Sequence, residues 1–151
     1  MRFVIQRVKN AACTVDQQVT GSIGKGVFVL IGISADDDRT VADRMVKKLL
    51  GMRIFEDSQG KTNLSLADVD GGLLLISQFT LYASCRKGNR PSFTDAGDPV
   101  LADELCQYIV ASCRAAVTDV QTGIFGAHME IALTNDGPFT VILDSKELGF
   151  S

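Results

Sequence analysis

The side chains able to do bond-making chemistry in this 151-residue chain are few and scattered. Its single histidine, His128, stands beside Gly126, Ala127 and Met129 near a predicted strand start, and reads as an exposed strand-end residue. A histidine triad could form only with His128 as its base. No H-x-x-E-H, C-x-x-C or G-x-S-x-G pattern occurs, and no phosphate-cradling or dinucleotide-binding glycine run. That argues against zincin, dithiol, nucleotide-hydrolysing and nicotinamide chemistry. Cys13, Cys85, Cys106 and Cys113 lack a close pair and read as free thiols; Cys106 and Cys113 share one face of a predicted helix, a core placement. Asp36-Asp37-Asp38 invites a metal, but hard-cation loops space their ligands and this run does not. At the head of a helix it serves better as a cap and a complement to the dipole. Neither metal nor cofactor is expected.

What remains are two polar interruptions in apolar strands. Ser77-Gln78-Phe79-Thr80 ends one strand with three hydrogen-bonding side chains, and Asn135-Asp136-Gly137-Pro138 follows another. On composition alone the first is a strand end and the second a β-turn.

The elements that must position them follow from periodicity. Strands are predicted at residues 3–8 and 12–15, then at 27–31, where every position is apolar and both faces should be covered. Val41, Ala42, Met45, Val46, Leu49 and Leu50 mark a helix closed by Gly51 as its cap. Residues 53–55 read as a strand with a turn at Asp57 to Gly60, and 73–81 as a long buried strand entered from a turn at 68–72. A polar loop covers 84–97. Asp98-Pro99 opens a second helix with Leu101, Leu105, Cys106, Ile109 and Cys113 on its inner stripe. Strands at 128–133 and 139–143 close the chain, joined by a turn at 134–138. Two helices against a mixed sheet, with extra strands as a second layer, is the predicted architecture.

Composition bounds the rest. With 46% hydrophobic and 22% charged residues and no linker or repeat, the chain reads as one globular domain over 1–151. The longest apolar run is far too short for a membrane span, and the charged N-terminus is unlike a signal peptide, so a cytoplasmic protein with no membrane partner is expected. A net charge of −3 gives no bulk attraction to nucleic acid. DNA is therefore not an expected partner, and any RNA contact must come from a local basic patch.

Ser77-Gln78-Phe79-Thr80-Leu81 and Asn135-Asp136-Gly137-Pro138-Phe139-Thr140 resemble the paired signature motifs of the D-aminoacyl-tRNA deacylase (D-tyrosyl-tRNA deacylase) family. The likeness extends to Gln6-Arg7-Val8, Arg53-Ile54-Phe55, Arg90-Pro91-Ser92-Phe93, Gln121-Thr122-Gly123 and Phe125, so it spans nearly the whole chain. Phe139 departs from it, standing where the family more often has valine.

The resemblance implies a three-layer α/β/β protomer and a homodimer. Its expected activity is hydrolysis of the ester of D-aminoacyl-tRNA, and of glycyl-tRNA, releasing free amino acid and tRNA as a proofreading step in translation. It places catalysis at Ser77, Gln78, Phe79 and Thr80, reached by the 3′ end of the aminoacylated tRNA. It places substrate binding and chiral selection at Gly137, Pro138, Asn135, Thr140, Met129 and Phe125, with Gly137-Pro138 a cis peptide supplied by the partner subunit. Arg86, Lys87 and Arg90 are the concentrated charges near these motifs, either contacts for acceptor-stem phosphates or a merely solvated loop. A related module that edits L-aminoacyl or glycyl esters, and a non-catalytic RNA-binding module, are the competing readings.

Overall fold

The computed structural model describes residues 1–150. A long strand organises it. The first half of β1 (Arg2–Val15) pairs antiparallel with β3 (Gly26–Gly32), and its second half pairs with β2 (Gln18–Ile23). Asp16 and Gln17 turn the β1–β2 hairpin at φ 47° and 65°, the left-handed pair that suits strand twist. β6 (Gly72–Ser77) adds in parallel to β3, and β7 (Val120–Thr122) in parallel to β6. β8 (Glu130–Asp144) runs antiparallel along the whole of β1. A small hairpin of β4 (Phe55–Glu56) and β5 (Thr62–Leu64) stands apart.

Because β2 and β3 lie in succession along one edge of β1, β1 and β8 pass together from one β layer into a second. The register slips between Gln6 and Val8 and between Val8 and Asn10 mark that corner, as bulges do where a sheet bends. Helices α1 (Arg39–Gly51) and α2 (Pro99–Arg114) form the third layer. The α/β/β arrangement is as the resemblance implied.

Two cores explain the uninterrupted apolar runs. Val27, Val29, Ile31, Leu73 and Leu75 point to Met45, Leu49, Leu105 and Ile109 of the helices. Phe28, Leu74 and Ile76 point the other way, onto Val8, Cys13 and Ile23 of the second β layer. Alternate residues of one strand thus serve opposite cores. Leu73 and Leu74 are fully buried, and each such side chain contributes roughly 1.5–3 kcal/mol by leaving water.

Several sequence-derived elements differ in the structure. The strands at 3–8 and 12–15 are one continuous β1, because β8 pairs with both parts. Residues 134–138 do not form a turn between two strands, since β8 continues through them as a bulge. The strand predicted to reach residue 81 stops at Ser77, and Phe79–Tyr82 is a 3-10 helix. Gly51 is the last helical residue, while Met52 caps α1 in extended conformation. Of the three aspartates only Asp38 caps, its Oδ1 accepting from Val41 N at 2.8 Å. Asp37 is buried, accepting from the Met1 ammonium and from Ser34 N. Asp98 and Pro99 start α2 as expected, Asp98 Oδ1 accepting from Val100 N at 2.9 Å.

Candidate active site

Parallel strands leave their C-terminal ends open, and here β3 and β6 end against the start of α2. Between them lies a cavity of about 790 Å³, walled by Leu30, Ile31, Ile33, Ile76 and Ala102 and floored by Ser77 and Gln78. Phe79, Phe93, Phe125 and Met129 also line it. A smaller lobe of about 120 Å³ continues from Ser77 and Met129 toward Asp103, Gln107 and Thr122 on α2 and β7.

The first motif changes direction at this floor. Gln78 N donates to Ile31 O at 2.7 Å, a last ladder contact, and then the chain coils. The 3-10 helix closes with Leu81 N to Gln78 O and Ala83 N to Thr80 O. The amides of Phe79 and Thr80 come one turn too early for such partners and have no protein acceptor among the described residues. Gln78 Nε2 donates to Thr80 Oγ1 at 2.5 Å, so the hydroxyl oxygen is held by an amide and its own proton is left to donate outward. Phe79, 57% exposed, meets Phe93 edge to face with centroids 5.0 Å apart, which ties the 84–97 loop to the lip of the cavity.

No activated nucleophile stands in the cavity. Burial, with Asp103 adding to it, pushes the Cys106 thiol up to about 12, so it is neutral near pH 7. Cys113 is likewise pushed up by burial, to about 11. Both are core thiols, as their spacing suggested. His128 is exposed, as predicted, but it stands on the cavity wall, which the sequence did not reveal. No hydrogen bond orients its ring among the described residues, and no group of three His, Cys, Asp or Glu there could hold a metal.

The second motif forms a bulge. Val8 pairs with Asn135 and Gln6 with Thr140, so Arg7 alone faces Asp136, Gly137, Pro138 and Phe139. Arg7 is 8% exposed. Its Nε donates to Asp136 O at 3.0 Å, its Nη1 to Ile54 O at 2.7 Å, and its guanidinium lies 4.6 Å from the Phe139 ring centre. Asn135 braces the same segment, Oδ1 accepting from Phe139 N at 2.7 Å and Nδ2 donating to Thr140 Oγ1 at 3.1 Å. The Gly137–Pro138 peptide is cis and both residues are exposed.

Ser77, Gln78, Phe79, Phe125 and Met129 therefore meet in one cavity, with Thr80 tied to it through Gln78. Asn135, Gly137, Pro138 and Thr140 lie together on the β8 bulge, and none of them lines that cavity. Arg86, Lys87 and Arg90 are exposed on the loop pinned by the Ser84–Ser92 bridge. Sequence reasoning missed Arg7 as the clamp and Phe93 as part of the lip. Arg7 carried a signal: it follows Phe3 and Ile5 on the inward side of β1, where a charge needs partners.

An apolar cleft with a few convergent polar groups, and two unengaged amides next to it, is the form of an enzyme's small-molecule site. The family described as D-Tyr-tRNA(Tyr) deacylase matches residues 4–144, and the chain belongs to that family. It is 51% identical over 148 residues to the D-aminoacyl-tRNA deacylase of Thermomicrobium roseum (strain ATCC 27502 / DSM 5159 / P-2), covering 98% of this chain and 96% of that one. It is 47% identical over 148 residues to the D-aminoacyl-tRNA deacylase of Thermosipho africanus (strain TCF52B), covering 98% and 99%. A solved structure titled c-Myc DNA Unwinding Element Binding Protein superposes with a TM-score of 0.91 at 37% identity, covering 96% of this chain and 99% of that one.

Proposed function

We propose that this chain hydrolyses the ester of D-aminoacyl-tRNA, releasing free D-amino acid and tRNA, and that it acts in the cytoplasm as a proofreading step of translation. The observation that carries this reading is the segment that follows the cavity floor: Phe79 and Thr80 amides without protein partners among the described residues, next to an apolar cleft, in a chain of this family. The aminoacyl ester is already activated, so positioning and oxyanion stabilisation suffice. The two amides hold the carbonyl oxygen. Water, oriented by the substrate's own 2′-hydroxyl, adds to the carbonyl carbon, and the ribose oxygen leaves with a proton. Phe125 and Met129 pack on the substrate's 3′ end, and Arg86, Lys87 and Arg90 approach acceptor-stem phosphates.

Chirality is read by exclusion. In a homodimer the exposed Gly137-Pro138 bulge enters the partner's cavity where an L side chain would project, with Asn135 and Thr140 holding its shape. This accords with the bulge not lining the cavity of its own chain. Glycine has no side chain to exclude, so glycyl-tRNA is also cut. The test is a deacylation assay on D-, L- and glycyl-tRNA, expected to show cleavage of the first and third only. Intact D-aminoacyl-tRNA would overturn the proposal.

The mechanism makes its own prediction. Thr80 Oγ1 is held by an amide N–H and has no base beside it, so Thr80→Ala should slow the reaction but leave a measurable rate. Quenched mixtures should contain no acyl-enzyme by mass spectrometry. A trapped ester on Thr80 would establish nucleophilic catalysis instead.

A further inference from the structure

The charges of this chain are unevenly placed. Residues 39–53 hold Arg39, Arg44, Lys47, Lys48 and Arg53 against one acid, Asp43, in a protein whose net charge is −3. All five cations are exposed, and none forms an ion pair among the described residues. Asp43 is already engaged, accepting from Tyr108 OH at 2.7 Å.

Arg44, Lys47 and Lys48 occupy successive turns on one face of α1 and line a concavity of about 500 Å³ with Met52 and Phe150. The Phe150 ring lies 5.8 Å from the Arg44 guanidinium. Like charges three and four apart on a helix destabilise it when nothing stands between them. Lys48, in the last turn, is explained by the helix dipole. Arg44, in the middle of the helix, is not. Three cations converging on a hollow, with no ion-pair partner among the described residues, form a seat for a polyanion.

We propose that this face of α1 binds the phosphodiester backbone of RNA, as a docking surface for the body of the tRNA whose 3′ end enters the cavity. The choice of RNA rests on the function proposed above. The geometry favours an extended ligand: α1 begins six residues after Ile33 of the cavity wall and carries Lys47 and Lys48 about 13 Å along the outer layer. A polymer held by its end at the cavity has its remaining charges outside it.

The experiment compares the parent chain with Arg44→Gln/Lys47→Gln/Lys48→Gln and with a charge-matched control, Lys9→Gln/Lys61→Gln/Arg114→Gln. Binding of uncharged tRNA is titrated across salt, and hydrolysis is measured on D-aminoacyl-tRNA and on a D-aminoacyl ester of adenosine, which lacks the stem. The α1 variant should bind tRNA at least tenfold more weakly, with a plot of log K against log salt shallower by about 2–3. It should hydrolyse the adenosine ester at the parent rate while KM for the full tRNA rises. Unchanged affinity and slope, an equal loss in the control, or equal binding of duplex DNA by the parent would each overturn the proposal. An adenosine ester and a tRNA that both stay uncleaved by the parent would refute the function instead, while the tRNA titration would still report on the surface.

Discussion

Gly137→Ala should lower hydrolysis of D-aminoacyl-tRNA by about a hundredfold while the protein stays folded. Gly137 holds φ at +141°, where L side chains are strained by about 1–3 kcal/mol. Its Cβ would stand 3.1 Å from Phe139 N and 3.2 Å from Arg7 Nη2, contacts that neither neighbour yields easily because each is anchored. The bulge must move, and a displacement near 1 Å in a positioning element is worth about 10² in rate. Rates on D- and L-aminoacyl-tRNA, read beside the melting curve, check this. A parent-like rate and D/L ratio would show that chirality is read elsewhere.

The same variant tests where the bulge acts. Ser77→Phe should fill the cavity floor and abolish activity, since Ser77 lines both lobes. If Gly137 serves the partner's cavity, mixing unfolded Gly137→Ala and Ser77→Phe chains and refolding them should restore activity. Each mixed dimer would then hold one sound cavity facing one sound bulge. Mixtures as inactive as their parts would place the bulge in its own chain's site.

Arg7→Met should be the most destabilising single change in the corner between the two β layers. Methionine keeps the unbranched apolar stem but leaves Asp136 O and Ile54 O without their donor and the Phe139 ring without its cation. Leaving two such carbonyls without a donor costs roughly 1–3 kcal/mol each. For a domain of this size that lowers Tm by about 10 °C. Arg7→Lys should recover only part of the loss, because one ammonium cannot reproduce the planar fork that bonds two carbonyls while lying on a ring. Parent-like melting of Arg7→Met would show that Asn135 alone holds the bulge.

Two features were legible in the chain because they are local. Asp98-Pro99 and the apolar positions of α2 define a helix whatever surrounds it, since its cap and stripe lie within one segment. The uninterrupted apolar run of β3 announced a strand covered on both faces, because side chains alternate. β2 and β7 were not legible. Gln18 to Ile23 mixes polar residues with Gly21, and β7 is three residues long; both are strands because β1 and β6 offer them a ladder. The break after Ser77 was hidden for the same reason, as Phe79 and Leu81 carry on the apolar pattern while the chain has already coiled.

By itself the sequence determined the element types with strong periodicity, the absence of the usual catalytic patterns, and the two short segments on which the family resemblance was read. It also contained every group of the site. Only the tertiary structure decided which of those groups meet. It brought Phe93, Phe125, His128 and Met129 to the cavity of Ser77 and Gln78, set Gly137 and Pro138 apart from it, and buried Arg7 beneath their bulge. The reason is physical: hydrogen bonding within a helix or turn is satisfied by near neighbours, whereas the pairing of β1 with β8 joins residues more than a hundred positions apart. Its register comes from packing on both faces of the sheet, which no local pattern records.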